Sequence, residues 1–390
     1  MTDVLIAGAG IAGSALAVHL GRSGFSVMLF ERSPFPREKP CGEGLMPAGV
    51  AALERLGVET ENFGADFEGI RYHFLGRMVQ GRFSGCVGQT MRGRGMRRRE
   101  LDAALAAAAG RTPGVSLNTG VRVGEPLVEG GRVTGLLVEK QSVRARLVVA
   151  ADGAQSRLRH ALELDRPTRR KRVGMRMHFR SARGTPAATH VEVFLGRGHE
   201  LYVTPLPSGE FLVAALAEAE ALNGRTEDLF WRWCQAQPNL AERISEAEPI
   251  SELLVTAPLS GRARSRVLPG LVLLGDAAGF TDPITGGGMT QALQGAESLA
   301  EHLAVSHDWN EATLAAFDRQ RETALRDYRL ITSGLLWLST HPRLIGPGLD
   351  IVRAAPPFLS HLLGVSGGVR RLFGRQRVHR GLMARERGET

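Results

Sequence analysis

Residues 4–31 constrain the fold of this chain more tightly than any other stretch. An apolar run, Val4-Leu5-Ile6-Ala7, leads straight into Gly8-Ala9-Gly10-Ile11-Ala12-Gly13. An Ala/Leu-rich segment follows, with Leu16 and Leu20 one helical turn apart, and then Ser26 to Phe30 ends on Glu31. The pattern predicts strand, tight turn, helix and strand, the βαβ unit that grips a dinucleotide. Gly8 permits the turn, Gly10 lets backbone approach a pyrophosphate, and Gly13 lets helix and strand pack closely. The helix N-terminus offers unpaired N–H groups to the phosphates. Glu31 stands where ribose hydroxyls can donate to it. This unit alone leaves NAD and FAD both open.

The rest of the chain is long enough for two interleaved domains: 390 residues, 43% of them hydrophobic. Such a composition buries a sizeable core and argues against disorder. The net charge is +9, carried almost wholly by arginine; the lysines are Lys39, Lys140 and Lys171. No RNA-binding signature or zinc spacing accompanies the arginines, so no nucleic-acid partner and no metal are expected. Cys41, Cys86 and Cys234 form no even framework and no Cys-x-x-Cys pair, which suits a reducing compartment. The first strand starts too early to leave room for a signal peptide, and no apolar run reaches the length of a spanning helix. A cytoplasmic location is expected.

Further along, a Pro-rich loop precedes a helix near Pro47 to Leu56, and Ile70 to Phe74 alternates like a strand. A helix over 97–110 is expected to close at Gly110. Strands follow near 121–128, 132–138 and 143–150, with Gly130-Gly131 as a hairpin turn. Residues 173–217 alternate as a largely antiparallel sheet with one wet face. From about 287 the pattern is helical, with expected breaks at Pro342, Pro347 and Pro356-Pro357. The expected architecture is α/β: a discontinuous Rossmann-like FAD-binding domain (1–75, 97–172 and 256–330), an inserted, mostly antiparallel substrate sheet (76–96 and 173–255) and a helical C-terminal region (331–390).

Two further segments select the cofactor. In Val148 to Ser156 an apolar strand ends in Asp152-Gly153. In Leu271 to Met289 another ends in Gly275-Asp276, followed by Asp282-Pro283-Ile284-Thr285-Gly286-Gly287-Gly288-Met289. With the N-terminal glycine motif, these resemble the three fingerprints of the flavoprotein family of para-hydroxybenzoate hydroxylase, geranylgeranyl reductases and flavin-dependent halogenases. The resemblance covers roughly residues 1–340 and implies FAD. It implies that Gly8, Gly10, Gly13 and Glu31 hold the adenine half, with Ala12 and Arg32 also among the cofactor-binding residues. Arg98 would reach the phosphate or ribityl region, Asp152 and Gly153 would lie near the pyrophosphate, and Gly275 and Asp276 would bind the ribityl or pyrophosphate region. Pro283 to Met289 would wrap the isoalloxazine ring, and Val123 would border the cofactor. Backbone N–H groups at Gly287 and Gly288 can be aimed at the charged edge of reduced flavin.

The segment Pro36-Arg37-Glu38-Lys39-Pro40-Cys41-Gly42 is similar to the geranylgeranyl reductase branch. There Arg37 would lie near the pyrophosphate, with Cys41 and Gly42 near the flavin. The strand that would roof the substrate departs from that branch. It reads Glu200-Leu-Tyr202-Val-Thr204-Pro205, without the branch's Trp and Phe. Halogenases carry a Trp-x-Trp-x-Ile-Pro strand, whereas Trp231-Arg-Trp233 here sits in a helical pattern and reads as packing.

The resemblance therefore implies a monooxygenase acting through a flavin C4a-hydroperoxide, with O2 and transiently bound NAD(P)H, since no second Gly-x-Gly-x-x-Gly follows a strand. A saturase of prenyl double bonds is the alternative, then a halogenase or a flavin-binding regulator. The cofactor carries the chemistry, so few catalytic side chains are needed. His178, Tyr202 and Cys41 are the candidates. Apolar stretches over 335–363 and the Arg-rich tail suggest a hydrophobic small-molecule substrate, or peripheral membrane contact through the C-terminal region.

Overall fold

The computed structural model describes residues 2–83, 91–168, 171–182, 188–306 and 308–373. In chain order its helices are α1 (Ile11–Arg22), α2 (Pro47–Arg55), α3 (Arg98–Arg111), α4 (Arg157–Ala161), α5 (Thr226–Gln235), α6 (Pro238–Ser245), α7 (Gly288–Val305), α8 (Glu311–Ser339), α9 (Pro342–Ala354) and α10 (Pro356–Ser366).

The first sheet is parallel at its centre, in the order 271–273, 141–150, 2–7, 27–31 and 115–119. Its central strands are apolar on both sides because both faces are covered. Val4, Ile6, Leu29 and Val149 pack under α1, α2, α3 and α7. Leu5, Phe30 and Val148 pack under the hairpin of 123–129 and 132–138. The turn between strand 2–7 and α1 depends on glycine. Gly8 has φ 101°, and a Cβ at Gly13 would lie 1.9 Å from the Gly8 carbonyl oxygen. No larger residue fits between helix and strand there.

The second sheet runs 247–249, 172–181, 210–218, 199–205, 190–195, 69–74, 77–82. It is antiparallel except where 190–195 meets 69–74. Its alternation sorts side chains by parity. Met175, Met177, Phe179, Val203, Phe211 and Val213 face away from the first sheet and pack under α5 and α6. Phe230 of α5 is fully buried there, a burial that contributes roughly 2–3 kcal/mol. Trp231 and Trp233 lie in α5 as packing residues; Trp233 stacks on His199 at 4.5 Å. The opposite parity faces the dinucleotide-binding sheet.

Several expected boundaries shift. Strand 69–74 belongs to the second sheet, since its backbone pairs with 190–195 and 77–82. Residue 330 falls inside the continuous helix α8. Gly110 does not close α3; the turn is made at Gly114, where φ is 81°. Pro347 sits inside α9, near enough to its start that one lost hydrogen bond is tolerated. Cys86 lies outside the described residues. Among the described residues, no helix is long and apolar enough to cross a membrane.

Candidate cofactor and active site

The residues expected to hold the cofactor begin at the N-terminus of α1. Gly10 caps that helix without a side chain, so its first N–H groups lack an intrahelical partner. A Cβ at Gly10 would meet nothing nearer than the Arg37 guanidinium at 3.6 Å, so backbone borders open space. Glu31 ends its strand beside this turn. Its Oε2 accepts from the Ala9 N–H at 3.1 Å, and Oε1 from the Ser33 N–H at 3.2 Å. Ala12 stands against Gly275, and Arg32 is exposed beyond the strand. Val123 opens the strand 123–129 and packs, half-buried, against the apolar core on that face of the first sheet.

Charge gathers next to this turn. Arg37 Nη2 lies 3.3 Å from both Glu31 and Asp102. Arg98 is buried and grips Asp102 through two bonds of 2.9 Å, with its guanidinium also against the Cys41 sulfur. Lys39 Nζ is 4.0 Å from Asp276 and faces Gly153. Burial, then the neighbouring Arg98, pulls the Lys39 ammonium below its ordinary range. Asp152 Oδ2 accepts from the Arg157 N–H at 2.8 Å, while its Oδ1 is buried without a partner. Arg37 Nε is likewise buried and unpaired. A buried orphan donor and a buried orphan acceptor beside a helix N-terminus suit a ligand that is both anionic and hydroxylated. The ribose, ribityl and pyrophosphate of FAD have that character, so these residues fit the cofactor.

The other end of this site is built from distant segments. Cys41 Sγ is 3.9 Å from Met289 Sδ, at the start of α7. Gly42 borders open space, and its carbonyl accepts from Thr204 Oγ1 at 2.8 Å. Gly286 has φ 69°, and Gly288 and Pro283 are exposed. Asp282 Oδ1 accepts from the Ile284 N–H at 3.1 Å and from Arg172 at 2.7 Å. The Tyr202 hydroxyl donates to the Ile284 carbonyl at 3.2 Å. From the far side, Tyr328 of α8 accepts from the Gly287 N–H at 3.3 Å, and Thr332 meets Thr285 at 3.1 Å. The Gly287 N–H expected to face the flavin is therefore taken by Tyr328.

His178 has no exposed surface. Its Nε2 is 2.8 Å from Glu43 and its Nδ1 2.8 Å from Arg176. Glu43 is fully buried at φ 57° and also accepts from the Arg98 N–H at 3.0 Å. The expected role of polarising a substrate phenol gives way to a tie between the Cys-Gly loop and the second sheet. Lys39, Glu43, Asp102, Arg172 and Tyr328 were given no role by the sequence, although Lys39 stands within the Pro36–Gly42 motif and Asp102 lies four residues past Arg98.

Fold and site together define a flavin-dependent oxidoreductase. Residues 1–327 match the FAD binding domain family, and the chain belongs to it. It is 29% identical over 314 residues to a menaquinone reductase of Mycolicibacterium smegmatis, covering 77% of this chain and 75% of that protein. It is 27% identical over 306 residues to digeranylgeranylglycerophospholipid reductase 1 of Methanothermobacter thermautotrophicus, covering 75% and 74%. Among solved structures, a flavoprotein/dehydrogenase from Cytophaga hutchinsonii superposes with a TM-score of 0.81 at 22% identity, over 94% of this chain and 93% of that one.

Proposed function

We propose that this protein is an FAD-dependent monooxygenase that hydroxylates a lipophilic aromatic, polyketide or terpenoid-like substrate. The balance is substrate C–H, O2, NAD(P)H and a proton giving C–OH, water and NAD(P)+. Bound FAD supplies electron transfer from NAD(P)H and the activation of O2. NAD(P)H binds only transiently in this reading.

The observation that carries it is the face of the second sheet turned toward the flavin loop. Register places Tyr72, Val193, Tyr202 and Ala214 side by side across four strands. Burial pushes the Tyr72 phenol up to about 12 and moves Tyr202 upward too. Both stay protonated at neutral pH and so put no charge beside their apolar neighbours, Tyr202 with its proton directed to the Ile284 carbonyl. The ionisable groups on that face are each paired: Arg172 with Glu200 and Asp282, Arg176 with Glu38, His178 with Glu43. Such a surface excludes water and orients a greasy ring or chain, and oxygen transfer from a cofactor asks for little else.

A second reading, saturation of carbon–carbon double bonds, is supported by Cys41 beside Met289 and Arg98, and by two relatives named as reductases. Turnover separates the two. The monooxygenase needs O2 and adds one oxygen atom to the product. Product formed under strict anaerobiosis, gaining two hydrogens, replaces the first reading with the second.

A further inference from the structure

Helices α9 and α10 bury one side and leave the other apolar. Ile345, Leu349, Leu359 and Leu363 pack on the hairpin strands around Phe74 and Val79. The outward side carries Leu344, Ile351, which is 65% exposed, and Phe358, which is 50% exposed. Beside it stands the hairpin turn Leu75-Gly76, between Phe74 and its cross-strand partner Arg77. Arg77 Nε reaches Asp350 of α9 at 3.4 Å, so the turn and the helix share one surface.

Leu75 is the unusual member. It is 75% exposed and sits at φ 47°, followed by Gly76 at 77°. A two-residue turn with both φ positive favours Asn, Asp or Gly; a leucine is strained there and its side chain stands in water. Met78 flanks it, also exposed. Both penalties make sense if the side chain enters another apolar phase.

The charge around this surface says which phase. Among the described residues it carries Arg77, Arg343 and Arg353 against the single carboxylate Asp350, while the Arg-rich tail from 374 onward lies outside the described residues. Arg343 is exposed next to Leu344, and Arg353, two residues past Ile351, reaches Asp350 at 3.2 Å and shares it with Arg77, which leaves the cluster net positive. We propose that the Leu75 hairpin tip and the outer side of α9 and α10 dock the protein on an anionic lipid bilayer, with Leu75, Ile351 and Phe358 entering the acyl boundary and the arginines meeting headgroup phosphates. Exposed apolar side chains beside Arg343 and Arg353, on helices too short and mixed to span, match an element that lies in the interface. The inference rests on this surface alone and not on which reaction the flavin performs.

The test is co-sedimentation of the full-length, FAD-loaded protein with vesicles of phosphatidylcholine alone or with one-third phosphatidylglycerol. Wild type should pellet with the anionic vesicles, less with neutral ones, and less again at high salt. Leu75→Asp, and separately Ile351→Asp with Phe358→Asp, should weaken partitioning roughly tenfold or more with flavin content unchanged. Aspartate tolerates the left-handed region, so Leu75→Asp should hold or raise Tm while losing vesicles. Wild type left in the supernatant with both vesicles overturns the proposal. So do variants that bind like wild type. A dimer in light scattering that the variants dissolve, without vesicle binding, assigns the face to a second copy instead.

Discussion

The two ends of the candidate cofactor site are built in opposite ways. The end expected to hold the adenine half is local: Gly8, Gly10, Gly13 and Glu31 fall within one βαβ unit, and its geometry follows from backbone sterics and one short strand pairing. The ring end is assembled from the Cys41–Glu43 loop, the strands of 172–181 and 199–205, the 282–289 loop and Tyr328 of α8. Glycines do the work at the first end and buried polar ties at the second. A local site tolerates no change in its own few residues. A site assembled across elements spreads its dependence over many partners, each of modest weight.

Two glycine substitutions test the first half of this contrast. Gly13→Val places side-chain atoms where a Cβ alone would be 1.9 Å from the Gly8 carbonyl. It should cost upward of about 3 kcal/mol and leave little folded protein, read by soluble yield and Tm. At Gly10 an added Cβ meets only the Arg37 guanidinium, at 3.6 Å, so Gly10→Val is the milder change. It should keep the fold, by circular dichroism and Tm, yet weaken FAD roughly 100-fold or more by filling the space beside the helix N-terminus. Retained yellow colour in Gly10→Val would break the assignment of that space to the pyrophosphate.

Legibility followed the same division. The order strand, turn, helix, strand over residues 2–31 was readable because every signal lies within one turn or one strand of the next. The Asp152-Gly153 and Gly275-Asp276 turns were readable for the same reason. His178 was not, because its meaning depends on Glu43, 135 positions away, and no periodicity links them. Tyr328 reads as one more residue of a long helix until that helix is laid against Gly287. The strand 69–74 shows its alternation plainly, but the choice of sheet is made by pairing with 190–195 across the intervening domain.

The Arg172 cluster gives the second half of the contrast a pH signature. One guanidinium serves Glu200, Glu218 and Asp282, and burial pushes the Glu200 carboxyl up to about 7 despite the pull of Arg172. A carboxyl raised in the folded state favours folding at low pH. That contribution is complete below its ordinary value near 4.5 and is lost as pH rises through about 7. Wild type should therefore lose on the order of 2 kcal/mol between pH 5 and 8 relative to Glu200→Gln, which stays neutral throughout. Thermal melts of both proteins across that range measure the difference. Parallel curves would mean that Glu200 is ionised throughout and that the ring end carries no such penalty.

The smallest effect should separate the two ends most cleanly. Tyr328→Phe removes the acceptor of the Gly287 N–H and leaves the helix and its packing in place. A buried donor without a partner costs about 1–2 kcal/mol. That cost falls on the loop expected to hold the isoalloxazine ring, so FAD should bind several-fold more weakly, by fluorescence titration, with Tm lowered by about 2–4 °C. ADP is expected to occupy only the first end, whereas the Tyr328 hydroxyl is bonded to Gly287 at the other. Its affinity should be unchanged in the same variant. If ADP weakens in step with FAD, the ends are coupled through α7 and α8, and the division into a local grip and an assembled ring site does not hold.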